Sequence, residues 1–400
     1  MEFNLFYSLF EAGNYHLIVR EILDFLDLES IYSLSLVNRS CYKFLKPFVQ
    51  NKRRLLRQSW LRSSRKEKVL SIQSSDIKYP SIVCDDTELI LVAFDAKQGW
   101  SAHVFRISTL DLIFVQCLYR VDSDDLAWTQ FIGNCTLSRR FLVITPTTAE
   151  HELHLWRRSA SEFIGPPMVI KQQMSDRYAN TCYDYYVIVY RSSLFSLYSA
   201  EKDPVVKCWS YTVYTGEYVE KMIMKVVKAD KNGILFWERD IFGNHSLQKR
   251  DFRNKMIFKI DLDYFVQDDL QLKPNDIIDC SDSKFVIDFT NKHGSGVLDV
   301  VSYKNELLRR FEHDNKPHHG WVVHCRSVAP PKCLKSLNLV PFLQYALCLD
   351  LELMQMCKKD HNQDNWPLHT ESVAYNSSDI FFTDHYNQDI VRIVRGVQEM

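Results

Sequence analysis

Five residues near position 320 combine the side chains that most often bind zinc. They are His313, His318, His319, His324 and Cys325. Imidazole and thiolate groups are preferred ligands of zinc, and a short segment can fold around one ion. The spacing matches no established zinc finger or enzyme site, and His324 and Cys325 are neighbours in a strand-like run, where their side chains would point to opposite faces. We therefore expect a polar loop of a β domain here and no metal site.

No other group of residues carries a recognisable catalytic pattern. The sequence has no Gly-x-Ser-x-Gly elbow, no phosphate-binding loop, no His-Glu-x-x-His motif and no dinucleotide-binding glycine pattern. Only 11 of the 400 residues are glycine, which disfavours loops that cradle phosphate. The sequence thus predicts a protein that is not an enzyme and that uses no cofactor.

Charge and cysteine usage narrow the class of protein further. Lys and Arg number 49 against 50 Asp and Glu, so the net charge of −1 gives no overall attraction to nucleic acid or to an anionic membrane. The 11 cysteines include no Cys-x-x-Cys pair and are spread along the chain, which favours buried reduced thiols over a disulfide framework. We expect neither a signal peptide nor a membrane span, and the expected location is the cytoplasm, the nucleus or both.

Residues 14–48 have the apolar spacing of three short helices. The apolar stripes are, in chain order, Ile18, Ile22, Phe25 and Leu26; Ile31, Leu34 and Val37; and Cys41, Phe44, Leu45 and Phe48. Asp27 and Asn38 can cap the second and third helices, and Pro47 is expected to kink or end the third. A module of about 35 residues cannot bury so much apolar surface within itself. Part of that surface must therefore meet a partner.

The same residues resemble an F-box. The resemblance rests on Leu26-Asp27-Leu28-Glu29-Ser30-Ile31, Leu34, Leu36-Val37-Asn38-Arg39 and Phe44-Leu45. These are similar to the family's leucine–aspartate turn, its serine–leucine pair, its leucine–valine–cysteine/asparagine–arginine stretch and a following aromatic residue. Two positions depart from the family pattern, because residues 14–17 replace the usual leucine–proline–x–glutamate opening and Cys41 stands where a tryptophan is usual.

The resemblance implies a substrate-recognition adaptor of a Skp–cullin–F-box ubiquitin ligase. In that family the helices bind a Skp-type adaptor, which joins them to a cullin scaffold, while the rest of the chain holds a protein substrate. The residues expected to contact the adaptor are Ile18, Ile22, Leu26, Leu28, Ile31, Leu34, Leu36, Val37 and Cys41. Some of them must instead face inward to hold the three helices together, and the sequence does not identify which, nor does it identify the substrate.

A basic helical connector is expected over residues 49–75. Between residues 51 and 68 it holds eight basic residues and one acidic residue. Leu56 and Trp60 are one helical turn apart, so this edge can dock while the charges stay in water. A solvated linking helix is the preferred interpretation, and a nuclear-import or nucleic-acid patch is the other one.

Residues 76–400 consist of short strand-like runs separated by turn signals. Within a unit two runs are expected to pair, as residues 142–144 with 153–156 and residues 186–189 with 205–209. One apolar marker from each unit gives a series spaced 42 to 53 residues apart: Phe105, Leu155, Cys208, Phe258, Val300, Leu349 and Ile393. A period of about 40–50 residues is typical of β-propeller blades. The expected fold is therefore a small all-α module followed by a mostly β domain, a six- or seven-bladed β-propeller similar to a divergent WD-repeat protein.

Two other functions stay open alongside the ubiquitin-ligase adaptor. One is a protein-interaction scaffold that acts outside ubiquitin transfer, and the other is a propeller enzyme or small-ligand-binding protein with a helical cap. Trp100, Trp128 and Trp366 fall in expected loops, where exposed aromatic side chains would suit a binding face. We expect a protein substrate and no nucleic-acid or membrane partner.

Overall fold

The structure is a computed structural model of the chain, and contacts divide it into two compact units. The first unit is residues 1–66 with 396–400, and the second is residues 67–395. The residues that the structure describes are 22–23, 31, 34–36, 39–61, 66–71, 77–95, 99–120, 132–146, 152–171, 179–191, 194–212, 214–215, 218–219, 221–262, 273–281, 283–290, 296–313, 332–342, 347–358, 370–376, 378–384 and 390–395.

The first unit contains one long helix, α1 (Arg39–Leu61). The residues Cys41, Phe44, Leu45, Phe48 and Val49 recur at helical spacing and share one small core. Pro47 lies inside α1 and does not end it. Because apolar residues on both sides of this proline pack on the same core, their burial offsets the backbone hydrogen bond that proline cannot make. The expected cap Asn38 and most residues of the two helices expected before it lie outside the described residues.

The second unit is a seven-bladed β-propeller. Its blades are antiparallel sheets that follow one another along the chain. Blade 1 contains β2 (Ile77–Cys84), β3 (Glu88–Asp95), β4 (Gly99–Arg106) and β5 (Leu112–Tyr119); blade 2 contains β6 (Ile132–Leu137), β7 (Phe141–Pro146), β8 (Glu152–Arg158) and β9 (Phe163–Lys171); blade 3 contains β10 (Ala179–Tyr183), β11 (Tyr186–Arg191), β12 (Leu194–Ser199) and β13 (Val206–Thr212).

Blades 4 and 5 repeat this four-stranded organisation, three strands are described for blade 6, and blade 7 takes its fourth strand from the start of the propeller sequence. Blade 4 contains β16 (Lys221–Asp230), β17 (Gly233–Asp240), β18 (His245–Arg250) and β19 (Met256–Asp261); blade 5 contains β20 (Lys273–Asp279), β21 (Lys284–Thr290), β22 (Gly296–Ser302) and β23 (Leu307–His313); blade 6 contains β24 (Leu339–Phe342), β25 (Leu347–Asp350) and β26 (Gln355–Lys358). Blade 7 contains β27 (Thr370–Tyr375), β28 (Ile380–Asp384), β29 (Ile390–Arg395) and β1 (Lys66–Ser71). A separate two-stranded hairpin between blades 3 and 4 consists of β14 (Tyr214–Thr215) and β15 (Tyr218–Val219).

The seventh blade joins the two ends of the propeller sequence. Strand β1 precedes blade 1 along the chain but pairs with β29 of blade 7. This pairing removes a free sheet edge at the point where the ring closes. The stretch had been expected to belong to a helical connector over residues 49–75. That expectation is wrong for β1: the helix ends at Leu61, and the propeller begins before residue 76.

The second strand of a blade is buried on both faces, which explains its unbroken apolar sequence. In β3, Ile90 and Val92 pack into the core shared with blade 2. Leu89 and Leu91 point the other way, into the core shared with blade 7. Since side chains alternate along a strand, only a continuous apolar run can fill both cores. Further apolar cores of this kind lie between neighbouring blades from blade 2 to blade 6.

The blade count confirms the period read from the sequence. Each of the seven markers lies in a different blade. They do not mark equivalent strands, however: Leu155 is in the third strand of blade 2, whereas Cys208 is in the fourth strand of blade 3. The expected pairing of residues 186–189 with 205–209 is wrong, because β12 lies between β11 and β13. Residues 142–144 do lie beside 153–156, in the adjacent strands β7 and β8.

Candidate interaction surfaces

The expected adaptor-contacting residues of the first unit divide into inward and outward sets. Ile31 is fully buried in a core with Leu23 and Leu45. Leu34 and Cys41 are half-buried and pack against that core. Ile31 is therefore one of the expected residues that face inward and hold the core of the first unit together.

The outward set has two members among the described residues. Ile22 is 45% exposed and Leu36 is 62% exposed. Tyr42 adds an aromatic ring that is 43% exposed, and it is adjacent to the half-buried Cys41. The remaining expected contacts, Ile18, Leu26, Leu28 and Val37, lie outside the described residues.

Not all basic side chains of helix α1 are exposed to solvent, although a solvated linking helix was the preferred interpretation. Trp60 is buried, as the sequence predicts, and Leu56 is half-buried. Arg57 is also buried, although its charge was expected to stay in water. Lys52 is half-buried and its Nζ donates to the carbonyl oxygen of Leu23 at 3.4 Å. Part of the positive charge of this helix is thus used inside the unit, which leaves less of it for a basic binding face.

The histidine cluster is only partly within the described residues. His313 ends β23 and is buried. A Cβ atom placed on Gly296 would lie 2.5 Å from its Nε2, so the imidazole ring fills the space that this glycine leaves. His318, His319, His324 and Cys325 lie outside the described residues. Among the residues that are described, no group of three His, Cys, Asp or Glu side chains is placed to hold a metal ion.

Burial makes several cysteine thiols of the propeller less reactive, whereas Cys208 is exposed. Burial raises the pKa of Cys182 to about 11 and that of Cys135 to about 12. The thiolate is the reactive form, and at neutral pH it is scarce in such surroundings. Ten cysteines fall among the described residues, and all ten are free thiols. No described helix is both long and apolar enough to cross a bilayer.

One exposed apolar feature of the propeller was missed by sequence reasoning. The turn between β17 and β18 carries Ile241 and Phe242, which are 62% and 83% exposed. The sequence signal was present, since Gly243-Asn244 is a turn signature directly after two apolar residues. By contrast Trp100, which was expected in a loop, lies in β4 and is buried against Phe94 with ring centroids 5.6 Å apart. Trp128 and Trp366 lie outside the described residues.

Comparisons with known proteins find similarity in structure alone. No family model matches the sequence, and no curated protein matches it. The β-propeller domain of Cps50 (Swd1) from Myceliophteria thermophila is similar at 9% identity and a TM-score of 0.49, over 83% of this chain and 100% of that one. The Pan2 WD40 domain from Neurospora crassa is similar at 10% identity and a TM-score of 0.48, over 84% of this chain and 97% of that one.

Proposed function

We propose that this chain is the non-catalytic substrate-recognition subunit of a Skp–cullin–F-box ubiquitin ligase. In this proposal the helical first unit binds a Skp-type adaptor, and the propeller holds a protein substrate. The observation that supports it best is the 62% exposure of Leu36, one of the residues that carry the F-box resemblance.

The first unit has apolar surface left over after its core is built. Leu23, Ile31 and Leu45 are fully buried, yet Ile22 and Leu36 remain about half exposed or more. Burying a leucine side chain contributes about 1.5–3 kcal/mol. A partner that covered both side chains would gain about half of that free energy from each of them, because each is already partly buried.

The aromatic position of the F-box pattern can be supplied by a neighbour. Cys41 stands where the family usually has tryptophan, but it packs inward. Tyr42 is exposed, and the Lys46 ammonium lies 5.7 Å from the centre of its ring. An aromatic residue that presents one apolar face and one polar end suits the centre of a protein interface.

The propeller would act as the platform that brings a substrate near the ligase. Holding a substrate and the ubiquitin-loaded enzyme on one assembly raises their effective concentration, so the chain itself needs to break no bond. The location we propose is the cytoplasm, the nucleus or both, where the cullin scaffold acts in this family.

The test measures binding of the full chain to a purified Skp-type adaptor. Leu36→Asp would place an unpaired carboxylate in the interface, and we expect the affinity to fall by about a hundredfold or more, equivalent to about 2.7 kcal/mol. Gln50→Asp, at an exposed polar position of α1, is the matched control and should bind as the unchanged chain does.

Both variants should keep the melting temperature of the unchanged chain, because each alters an exposed side chain. Equal adaptor binding by Leu36→Asp and the unchanged chain would refute the proposal. No adaptor binding by either would favour the scaffold that acts outside ubiquitin transfer.

A further inference from the structure

The turn between β17 and β18 is held rigid by its own hydrogen bonds. Asn244 donates its backbone N–H to Oδ1 of Asp240 and its side-chain Nδ2 to Oδ2, each at 2.8 Å. The backbone N–H of Gly243 donates to the carbonyl oxygen of Asp240 at 3.1 Å, and Gly243 has a φ of +90°, which favours glycine. Asp240 is slightly buried, which opposes ionisation, but the donors of Asn244 outweigh this and hold its pKa below the usual value. The turn therefore has one preferred shape before any partner arrives.

This rigid turn presents apolar side chains to the surroundings. Ile241 and Phe242 stand at its tip, and Phe242 is the most exposed large apolar side chain among the described residues, at 83%. Single exposed apolar residues are ordinary on protein surfaces. Two adjacent ones on a preorganised turn are different, because binding them costs little conformational entropy.

A positive charge without a described partner lies at the base of the turn. The Arg239 guanidinium passes close to Gly243, with Nη2 3.5 Å from the position of a Cβ placed on that glycine. Arg239 forms no ion pair with any described residue, and its buried Nε has no hydrogen-bond partner among them. Nε is buried, so a partner would meet the Nη atoms instead, and a carboxylate that reached them would form a charge-assisted hydrogen bond with a guanidinium that has no described counter-ion.

Met222 completes the surface from the neighbouring strand. It pairs directly with Arg239 across β16 and β17, so the two side chains lie on the same face of the sheet. Met222 is 42% exposed. Aromatic residues, methionine and arginine are the types enriched at the centres of protein interfaces. We refer to Met222, Arg239, Ile241 and Phe242 as the blade 4 patch.

We propose that the blade 4 patch binds an acidic amphipathic segment of another protein, with a carboxylate on Arg239 and apolar side chains around Phe242 and Ile241. Only the further step of taking that protein to be the substrate of the ligase rests on the proposed function. A membrane is disfavoured because interfacial anchors combine apolar residues with several cations, whereas this turn carries Asp240 beside its single arginine. A second copy of this chain is disfavoured because a two-fold contact through the patch would bring Arg239 towards Arg239 of the other copy.

To test this, peptides are selected from a random library for binding to the full chain. The affinity of each selected peptide is then measured by fluorescence anisotropy. We expect the tightest binders to combine Asp or Glu with bulky apolar residues. Phe242→Ala and Arg239→Gln should each weaken their binding about tenfold or more. Leu353→Ala is the matched control, because Leu353 is an exposed apolar residue on another rigid turn, where its N–H donates to Asp350 Oδ1 at 2.9 Å.

A charge exchange makes the test specific for the proposed contact. Arg239→Glu should no longer bind the acidic peptides. It should instead bind variants of these peptides in which lysine replaces the Asp or Glu. All variants should keep the melting temperature, and Phe242→Ala should keep full adaptor binding, so failure here is separate from failure of the proposed function.

Three outcomes would overturn the inference. The first is that neither Phe242→Ala nor Arg239→Gln changes the affinity of the selected peptides. The second is that the unchanged chain, but not Phe242→Ala, sediments with phosphatidylserine vesicles. The third is that analytical ultracentrifugation shows a dimer that Phe242→Ala abolishes.

Discussion

At the scale of single residues, Arg158 joins blade 2 to blade 1. Its side chain is almost fully buried, and Nη1 lies 2.9 Å from Oδ2 of Asp85 and 2.6 Å from the carbonyl oxygen of Ser138. Nη2 contacts the Glu88 carboxylate as well. Because the guanidinium sits between groups of neighbouring blades, its loss would leave two carboxylates without their cation.

Replacing Arg158 should be far more costly than replacing an exposed arginine. We expect Arg158→Met to lower the free energy of unfolding by about 2–4 kcal/mol, since it strands partly buried carboxylates. Arg140→Met is the matched control, because Arg140 pairs with Asp184 at 3.3 Å where both side chains are more than 40% exposed. That change should cost less than about 1 kcal/mol. Urea unfolding of both variants measures the difference, and equal costs would contradict this account of the blade junction.

The carboxyl group of Asp85 should make stability depend on acid pH. Burial raises the pKa of Asp85, but the backbone N–H groups of Glu88 and Thr87 and the Arg158 guanidinium outweigh this, so the pKa lies below its ordinary value. A lowered pKa stabilises the folded state above the unfolded-state value, about 3.9, and this contribution is lost as the pH falls through the folded-state value. Asp85→Asn should therefore lower the unfolding free energy at neutral pH and converge with the unchanged chain below about pH 4. Urea unfolding at several pH values, with Asp203→Asn at an exposed position as control, measures this; a constant difference down to about pH 3 would contradict it.

In the first unit the sequence predicts which positions are apolar, but not which of them are buried and which are exposed. Helical spacing identified Ile31 and Leu36 as apolar positions, yet one is core and the other is exposed. A stripe of apolar residues predicts that one face is buried, but it does not distinguish an internal core from an absent partner. That distinction depends on the neighbouring helices, which a periodicity does not contain.

At the scale of elements, tight turns between strands determine how closely the strands approach. The turn from β16 to β17 ends at Gly233, whose φ is +124°. A Cβ there would lie 2.1 Å from the carbonyl oxygen of Arg250, at the end of the neighbouring strand β18. Glycine is therefore required here both for backbone conformation and for space.

Two glycine substitutions separate these two requirements. Gly233→Ala should lower the free energy of unfolding by about 3 kcal/mol or more, because backbone strain and a clash with backbone atoms add together. Gly243→Ala also has a positive φ, but its nearest neighbour is the flexible Arg239 side chain at 3.5 Å. It should cost only about 1–2 kcal/mol. Thermal unfolding monitored by calorimetry provides the comparison, and a larger cost at Gly243 would contradict the argument.

Most strands could be predicted from the sequence, but β1 could not. Long apolar runs such as β3 predict strands because both faces of the element are buried. Strand β1 has the sequence KEKVLS, whose lysines and glutamate follow directly from the basic connector. Its partner β29 is at the other end of the chain. Because the two strands are so far apart in the sequence, no pattern within β1 itself indicates that they pair. The wrong connector boundary is a consequence of this long-range pairing.

At the scale of the whole molecule, closure by β1 makes the amino-terminal boundary of the propeller matter. A chain that begins at residue 62 retains β1, whereas one that begins at residue 76, the boundary expected from the sequence, lacks it. We expect the shorter chain to melt about 5 °C or more below the longer one, because the edge of blade 7 loses its partner strand. Calorimetry on both chains tests this. Equal melting temperatures would show that β1 contributes nothing to closure.

We propose that the chain links an adaptor, through its first unit, to a substrate held by its propeller. Quantitative affinity purification of the full chain from cells, with mass spectrometry of the co-purifying proteins, tests it most directly. We expect the unchanged chain and Gln50→Asp to recover a Skp-type adaptor and a cullin in near-equal amounts. Leu36→Asp should lose both proteins, whereas the proteins that bind the propeller should still co-purify with it. Unchanged recovery of adaptor and cullin by Leu36→Asp, or their absence from every sample, would contradict the account.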